Sequence, residues 1–384
     1  MEPLQVGRYI RLKNKLIGDG QPCYIIAEMS ANHGGDFRRA LEIVNAAAES
    51  GADCIKVQTY TADTITMNSN KRHFMINDGL WKGKNLYSLY KGASMPWEWQ
   101  PRIKEEAEKA GLDFLSTPFD ITAVDFLEDT GVEFYKISSF EIVDIPLLRA
   151  AAATGKPIIL STGMASEAEI AEAVKVIRES GKAASGLELP ARAEQGKQTG
   201  CQDPIPDNLI LLKCSSAYPA EPRDMNLKTM QYLKSKFNVA VGFSDHSMGV
   251  LSACTAVALG AKVIEKHFCL DRKIKTPDSE FSMEPKEFLS MVESIRVVEQ
   301  SLGRVSFTPA PGEAVSVLLR KSVFVTSDIR KGDRFSRESI KVIRPAQGMN
   351  PGQYERILGM TAATDISAGT PLKSSHILGF TPDE

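Results

Sequence analysis

The segment CYIIAEMSANHGGDFRRALEIVNAAAESGADCIKVQTY, residues 23–60, contains the repeating unit that predicts the fold of the chain. Residues 23–29 and 54–60 are short runs with β-branched residues, and each is predicted to form a strand. Residues 37–50 repeat apolar residues at helical spacing, and Asp36 precedes them as a helix cap. The segment therefore predicts a strand, a helix and a second strand.

This alternation continues along the chain. The predicted strands are 23–29, 54–60, 113–117, 134–139, 157–162, 209–215, 239–243 and 263–268. The predicted helices are 37–50, 97–110, 121–130, 144–154, 166–180, 226–236, 248–259 and 285–301. Eight strand–helix units close a parallel barrel, whereas an open doubly wound sheet usually contains about five or six strands. We therefore predict an α/β fold with a (β/α)8 TIM barrel.

Three segments lie outside this repeat. Residues 8–22, RYIRLKNKLIGDGQP, are predicted to form a hairpin across the barrel floor, with residues 18–20 as the turn. Residues 61–96 follow the second strand and begin the region that holds all three tryptophans, so we expect a lid over the site. Residues 181–208 follow a helix and are expected to form a solvated insertion at the opposite face.

The C-terminal part of the chain is predicted to be a separate domain. Residues 303–313, GRVSFTPAPGE, contain the prolines and glycines of a linker. Residues 314–384 have the pattern of a small β-rich domain of short strands and turns. The barrel domain is therefore assigned to residues 1–302.

The composition and net charge of the chain indicate what class of protein it is. The chain has 384 residues, of which 43% are hydrophobic and 24% charged, as in soluble globular proteins. Its formal charge of −2 gives no general attraction to nucleic acid or membranes. The start of the chain lacks a signal sequence and no apolar run approaches the ~20 residues of a membrane span, so we expect a cytosolic protein. The six cysteines form no CxxC pair and are expected to be reduced.

Polar residues end every predicted strand, where the catalytic groups of such barrels lie. They are Glu28, Asn32, His33, Lys56, Gln58, Thr59, Ser116, Thr117, Lys136, Ser138, Ser139, Ser161, Thr162, Ser215, Ser216, Ser244, Asp245, His246, Glu265, Lys266 and His267. Buried lysines and carboxylates are costly unless they are paired or used. The set therefore predicts an active site.

Five of these residues indicate the chemistry. Lys56 and Lys136 lie in otherwise apolar strands, and two cations with hydroxyls suit a small anion that carries phosphate and carboxylate. His246 and His267 end neighbouring strands and are candidates to share Mn²⁺, Fe²⁺, Co²⁺ or Zn²⁺. Glu28 is a candidate general acid or base, or a ligand for a hydroxylated substrate. The alternatives are structural: lysines paired with buried glutamates, and histidines held by hydrogen bonds.

Nine ordered blocks of the chain resemble the sialic acid synthase family. They are IAEMSANHGG (26–35), GADCIKVQTY (51–60), STPFD (116–120), YKISSFE (135–141), STGM (161–164), CSSAYPAEP (214–222), GFSDHS (242–247), EKHF (265–268) and IRPAQGMNP (343–351). The resemblance covers nearly the whole chain and makes the C-terminal domain an antifreeze-like, or SAF, domain. It implies an enzyme that condenses phosphoenolpyruvate with an amino-sugar aldehyde.

The resemblance also implies residue roles. His246 and His267 would bind the divalent metal, with Mn²⁺ as the first choice and Mg²⁺ or Co²⁺ as alternatives. The residues implied to bind phosphoenolpyruvate are Lys56, Gln58, Thr117, Lys136, Ser139, Ser161, Ser216 and Ser244. Glu28 would orient the sugar aldehyde, and Asp278 would bind substrate near the metal. Arg344 of one subunit would reach the partner's sugar site in a domain-swapped homodimer.

Within the family, the chain is similar to the synthases of pseudaminic acid. The segments that carry this similarity are AEMSANHGGDF (27–37), QTYTADTIT (58–66), GLWKGKNLYSLYKGASMPWEWQ (79–100) and DSEFSMEP (278–285). Legionaminic acid and N-acetylneuraminate synthases are the alternatives with the same chemistry. The polar strand ends disfavour a non-catalytic sugar- or ice-binding protein. The second domain disfavours a phosphoenolpyruvate-dependent synthase of a shorter sugar acid.

Overall fold

The computed structural model describes residues 7–12, 15–185 and 205–381. They belong to two compact units, Met1–Gly303 and Arg304–Glu384. The division falls at the start of the predicted linker.

The first unit is built on a ring of parallel strands. The strands of the chain are β1 (Arg8–Arg11), β2 (Leu16–Gly18), β3 (Tyr24–Glu28), β4 (Cys54–Thr59), β5 (Asp113–Pro118), β6 (Tyr135–Ile137), β7 (Ile158–Ser161), β8 (Ile205–Pro206), β9 (Leu209–Cys214), β10 (Ala240–Asp245), β11 (Val263–His267), β12 (Ser322–Val325) and β13 (Ile340–Ile343). Eight of them form one sheet in the order β5-β4-β3-β11-β10-β9-β7-β6. The two end strands, β5 and β6, lie side by side and complete the ring.

Helices follow the strands of the ring. They are α1 (Phe37–Glu49), α2 (Ala62–Ile65), α3 (Leu86–Ala93), α4 (Gln100–Lys109), α5 (Ile121–Thr130), α6 (Ile145–Ala153), α7 (Glu167–Ser185), α8 (Thr229–Phe237), α9 (Leu251–Ala258), α10 (Pro285–Leu302), α11 (Ala314–Leu318) and α12 (Tyr354–Ile357). Every strand of the ring is followed by one of the helices predicted from sequence. The predicted (β/α)8 barrel is therefore confirmed.

Side-chain caps explain why the helix starts were predictable. Asp36 and Asp120 each accept a bond from the backbone N–H two residues later, at 2.8 and 2.7 Å. Before α7, the Ser166 backbone N–H donates to the Glu169 carboxylate at 2.7 Å, and the Glu169 N–H donates back to the Ser166 hydroxyl. Caps of this kind stabilise a helix by about 1 kcal/mol each.

The interior of the barrel has two layers, because alternate side chains of a strand point to the same face. The lower layer is apolar and consists of Ile10, Leu12, Ile17, Tyr24, Ile26, Cys54, Leu115, Phe134, Ile159, Ile210, Leu212, Ala240 and Val263. The next inward position on each strand belongs to the upper layer. Ile26 is thus followed by Glu28, and Val263 by Glu265. The apolar layer closes the barrel below and leaves the polar groups at its C-terminal mouth.

The predicted N-terminal hairpin is present, but its predicted turn is wrong. β1 and β2 pair antiparallel, and where the two strands connect the Leu12 backbone N–H donates to the Lys15 carbonyl oxygen at 2.9 Å. Gly18 instead pairs with Tyr9 at the end of β2, and residues 19–20 form a turn after it. Gly18 has a φ of +140°, and a side chain there would collide with the Arg8 carbonyl oxygen. This glycine permits close strand approach rather than a turn.

The two long segments differ from simple loops. Residues 61–96, at the C-terminal end of β4, contain α2 and α3. In the predicted insertion 181–208, α7 continues to Ser185, and residues 205–206 form β8, which pairs with β1 at the barrel floor. The remainder, residues 186–204, lies outside the described residues.

The second unit has a core of its own. β12 and β13 pair antiparallel. The core residues around them are Val323, Val325, Ile329, Phe335, Ile340, Ile357, Ala362, Ile366, Leu372 and Ile377. This arrangement agrees with the predicted small β-rich domain.

None of the helices in the described ranges is long and apolar enough to cross a membrane. The described cysteines, Cys23, Cys54, Cys214, Cys254 and Cys269, are free thiols. Cys201 lies outside the described residues.

Candidate active site

A polar cavity opens at the C-terminal mouth of the barrel. Its lining residues are Lys56, Gln58, Thr117, Lys136, Ser138, Ser139, Ser161, Cys214, Tyr218, Ser244, His246, Glu265 and His267. Both lysines and both histidines singled out from the sequence are among them. The four side chains therefore meet around one cavity.

Two carboxylates neutralise the two lysines. Lys56 forms an ion pair with Glu28 and lies 3.7 Å from Glu265. The Lys136 ammonium lies 3.8 Å from the other oxygen of Glu265. All four side chains are at most 5% exposed. The alternative expectation, that the lysines pair with buried glutamates, thus describes the structure. Lys56, Lys136 and Glu265 line the cavity, whereas Glu28 contacts Lys56 without lining it.

The two carboxylates differ in their readiness to hold a proton. Burial raises the pKa of Glu28 to about 7, against the opposing charge of Lys56. Burial by itself would also raise the pKa of Glu265, but Lys136 and Lys56 together lower it below its ordinary value. Glu28 therefore titrates near neutrality while Glu265 stays ionised. Divergent pKa values of this kind mark acid–base sites.

Hydroxyl groups surround the lysines. Lys56 donates to the Thr117 hydroxyl at 3.4 Å, and the hydroxyls of Ser139 and Ser216 are 2.9 Å apart. The Ser161 hydroxyl is buried without a hydrogen-bond partner. Gly163 packs so closely that a side chain there would collide with both Ser139 and Ser216. The site thus offers short donors beside two cations, as phosphate and carboxylate groups require.

The two histidines lie side by side, with ring centroids 5.5 Å apart. The Nδ1 atom of His246 is 2.7 Å from the Ser215 carbonyl oxygen, so this nitrogen carries the proton and Nε2 has a free lone pair. The Nδ1 atom of His267 is buried without a partner. Burial lowers the pKa of His246 to about 4 and that of His267 well below its ordinary value. Both rings are therefore neutral at pH 7.

Neutral imidazoles with free lone pairs fit a divalent ion. Among the described residues, no cluster of three or more His, Cys, Asp or Glu side chains has metal-binding geometry. The protein would thus supply two ligands, and water or substrate the others.

Two residues implied by the family resemblance lie elsewhere. Asp278 does not line the cavity; it accepts bonds from the Ser30 hydroxyl at 2.5 Å and from the Ala31 N–H at 3.2 Å. These bonds tie the segment after β11 to the segment after β3. Arg344 belongs to the second unit, where its side chain is exposed.

Sequence reasoning assigned no specific role to three cavity residues, of which it named only Glu265 among the polar strand ends. Glu265 stands at the end of a strand and two positions before His267, a spacing that places both on one face, but its importance comes from its contact with both lysines. Tyr218 and Cys214 also line the cavity. Tyr218 packs on His246 with ring centroids 4.3 Å apart, a contact between segments far apart in sequence.

A second buried ion pair lies directly behind the histidines. Asp245 and Lys266 face each other on β10 and β11, and their charged atoms are 2.8 Å apart. The Lys266 ammonium also donates to the carbonyls of Ser247 at 2.5 Å and Gly249 at 3.3 Å. Because each partner immediately precedes a cavity histidine, the pair holds together the two strands that carry the imidazoles.

We expect Lys266→Met to lower the free energy of unfolding by about 3–5 kcal/mol, because it leaves Asp245 buried and uncompensated. Urea denaturation measures this loss. Lys109→Met is the control, since Lys109 pairs with Glu105 on an exposed helix face and is expected to change stability little. A similar loss of unfolding free energy in both variants would contradict the stabilising role of the Asp245–Lys266 pair.

His33 supports the fold rather than the cavity. Its Nδ1 accepts the Gly35 backbone N–H at 3.1 Å, and its ring packs against Trp99. Burial lowers its pKa to about 4, against the opposing effect of the Ala93 carbonyl.

This shift predicts a pH dependence of stability. The unfolded chain protonates His33 near its ordinary pKa of 6.5, whereas the folded chain does so only near 4. The stability that depends on a neutral, buried His33 is therefore fully present above pH 6.5. It is lost as the pH falls toward 4. Relative to His33→Gln, the wild type is expected to lose about 2–3 kcal/mol between pH 7 and pH 4.5. Urea denaturation at both pH values tests this, and a pH-independent difference would contradict it.

The chain is similar to known proteins over most of its length. Residues 43–306 match the NeuB family, and residues 320–378 match the SAF domain. The chain is 42% identical to the pseudaminic acid synthase of Campylobacter jejuni (strain 81-176), over 92% of this chain and 96% of the relative. It is 36% identical to the N,N'-diacetyllegionaminic acid synthase of Legionella pneumophila, over 94% of this chain and 96% of the relative.

A solved structure is also similar. The N-acetylneuraminic acid synthetase of Leptospira borgpetersenii aligns with a TM-score of 0.67 and 34% identity, covering 82% of this chain and 96% of that protein. The family match spans more than half of the chain, and each of these relatives is aligned over most of its length. The chain therefore belongs to the NeuB family and carries a C-terminal SAF domain.

Proposed function

We propose that this protein is a pseudaminic acid synthase. It condenses phosphoenolpyruvate with 2,4-diacetamido-2,4,6-trideoxy-L-altrose and releases phosphate. The observation that carries this proposal is the meeting of two buried lysines and two neutral histidines around one cavity. The chain is 42% identical to a pseudaminic acid synthase and 36% identical to a legionaminic acid synthase. This difference favours the altrose derivative as the acceptor sugar.

Phosphoenolpyruvate binds between Lys56 and Lys136. Their ammonium groups face the carboxylates of Glu28 and Glu265 in the described structure, and the phosphate and carboxylate of the substrate provide equivalent anionic partners. The hydroxyls of Thr117, Ser139, Ser161, Ser216 and Ser244, with the Gln58 amide, complete the donor set. The unpaired Ser161 hydroxyl supports this role.

His246 and His267 would hold the divalent ion, for which Mn²⁺ is the first choice and Mg²⁺ or Co²⁺ are alternatives. When bound, the ion would supply Lewis-acid chemistry for the aldehyde of the sugar. The hydrogen bond from His246 to the Ser215 carbonyl fixes the tautomer that this role needs.

The reaction forms one C–C bond and breaks one C–O bond. C3 of phosphoenolpyruvate attacks the aldehyde carbon, and the aldehyde oxygen takes up a proton. Positive charge at C2 is then quenched by water, which releases a proton. The tetrahedral intermediate expels phosphate by cleavage of the C2–O bond, and a keto acid results.

Glu28 and Glu265 divide the electrostatic tasks. Glu28, whose pKa is raised to about 7, is suited to exchange a proton with the bound sugar and to orient it. Glu265 remains ionised and balances the positive charge of the two lysines. Asp278, which the family resemblance implied to bind substrate, accepts bonds from Ser30 and Ala31 and stabilises the segment after β11.

A second copy of the chain completes the acceptor site. Exposed apolar side chains surround the C-terminal end of the barrel, among them Phe140, Met164 and Leu251, which are 56, 57 and 79% exposed. Their exposure beside the proposed site supports an interaction surface there. In the proposed domain-swapped homodimer, the SAF domain of the partner covers it and brings Arg344 to the sugar. Mixing inactive Arg344→Ala and Lys136→Met proteins should then restore activity, and no restoration would contradict the swap.

A panel of acceptors tests the proposed function. Phosphoenolpyruvate and Mn²⁺ are combined with the altrose derivative, its legionaminic counterpart or N-acetylmannosamine, and products are identified by mass spectrometry. We expect product chiefly from the altrose derivative. Product from N-acetylmannosamine alone would overturn the acceptor but not the reaction. Absence of product from every acceptor would overturn the enzymatic function and favour a sugar-binding role.

A further inference from the structure

Trp81 links three of the segments that follow barrel strands. It belongs to the segment 61–96 after β4. Its indole N–H donates to the Pro277 carbonyl oxygen at 3.1 Å, in the segment after β11. Its ring packs against Tyr218, in the segment after β9, with centroids 5.8 Å apart. The half-buried Trp81 side chain thus connects the expected lid, residues 61–96, to the segments after β9 and β11. Both of these segments lie beside the histidine pair.

Tyr218 transmits this contact to the histidines. Its ring centroid lies 4.3 Å from that of His246 and 6.2 Å from that of His267. Phe281 packs on the other side, 5.2 Å from Tyr218 and 4.9 Å from His267. We call Trp81, Tyr218 and Phe281 the aromatic cap. It touches the imidazoles that the proposed function assigns to the aldehyde, and its ring contacts include neither lysine.

We propose that Trp81 is a positioning residue for the acceptor sugar. It holds Tyr218 and the segment after β11 against the histidine pair, and so shapes the part of the cavity that receives an amino-sugar aldehyde. The bond to Pro277 fixes the orientation of the half-buried indole by giving its N–H a partner. This inference rests on the proposed function, because it concerns the acceptor of that reaction.

Two other tryptophans provide an internal comparison. Trp97 also donates its indole N–H to a backbone carbonyl, that of Tyr60, at 3.2 Å, and packs on Phe126. Trp99 packs on Phe37 and His33. Neither belongs to the aromatic cap or lines the cavity. Trp97 is therefore a matched control with the same hydrogen bond and a different location.

Steady-state kinetics test the inference. Trp81→Ala is expected to raise the KM for the acceptor about tenfold, which corresponds to about 1.4 kcal/mol. Trp81→Phe keeps an aromatic ring but loses the N–H, and it is expected to raise the KM for the acceptor about threefold. The KM for phosphoenolpyruvate should stay within about twofold in both, and Trp97→Phe should change neither constant.

A spectroscopic experiment gives a second readout. In the Trp97→Phe/Trp99→Phe protein, Trp81 is the only tryptophan of the chain. Its emission should shift when acceptor is added to the protein with Mn²⁺, and should not shift with phosphoenolpyruvate alone.

The outcomes separate this inference from the proposed function. If the wild type forms no product from any acceptor, the proposed function fails. If the wild type is active but Trp81→Ala changes neither KM, or raises both equally, the positioning role is overturned. An emission unchanged by the acceptor, or changed equally by phosphoenolpyruvate, would also overturn it.

Discussion

Replacing His267 with alanine is expected to lower kcat by about 10³-fold, or about 4 kcal/mol, because one of the two proposed protein ligands for the Lewis acid would be lost. Mn²⁺ affinity should fall in parallel, as measured by calorimetric titration. The fold should persist, since the neutral imidazole makes no hydrogen bond through its buried Nδ1 atom. Chelation of the wild type with EDTA should give a similar loss, and added Mn²⁺ should reverse it.

His73→Ala is the control for this variant. His73 is exposed and does not line the cavity, so activity and Mn²⁺ binding should match the wild type. If His267→Ala keeps wild-type activity, or binds Mn²⁺ as tightly as the wild type, the histidine pair is not the metal site.

Lys136→Met is expected to lower kcat/KM for phosphoenolpyruvate by about 10³-fold, because the buried cation proposed to bind the substrate would be removed. The KM for the acceptor should change little, since Lys136 lies beside Glu265 rather than in the aromatic cap. Initial rates of phosphate release at varied concentrations of each substrate measure the two effects separately.

Two further variants separate charge from folding. Lys213→Met removes another buried lysine, whose ammonium bonds the Cys214 carbonyl and does not line the cavity, and it should leave kcat/KM unchanged. Lys136→Met/Glu265→Gln removes both charges of the pair and should recover stability without recovering activity. Recovery of activity in the double variant would show that Lys136 serves only to neutralise Glu265.

The barrel was predictable because its signals are local. Each strand is a short apolar run, and caps such as Asp36 and Ser166 act within one helical turn. Alternation along the strands also placed Lys56, Lys136, His246 and His267 at one rim, where the structure brings them together.

The contacts that sequence reasoning missed are all non-local. Glu265 gains its importance from lysines on two other strands, and these contacts depend on the register of the ring. Tyr218 reaches His246 from a different strand-to-helix segment. The misplaced hairpin turn has a related cause. Gly18 is required by the nearby Arg8 backbone, and a glycine needed for close approach looks like a turn glycine in sequence.

The proposed reaction is tested most directly with phosphoenolpyruvate that carries ¹⁸O at its bridging C–O–P position. After incubation with the protein, Mn²⁺ and the altrose derivative, the phosphate and the sugar acid are analysed by mass spectrometry. The proposed C–O cleavage places the label in the phosphate, and phosphate should form only when the aldehyde is present. Label retained in the sugar acid, or phosphate released without any aldehyde, would contradict condensation at this cavity.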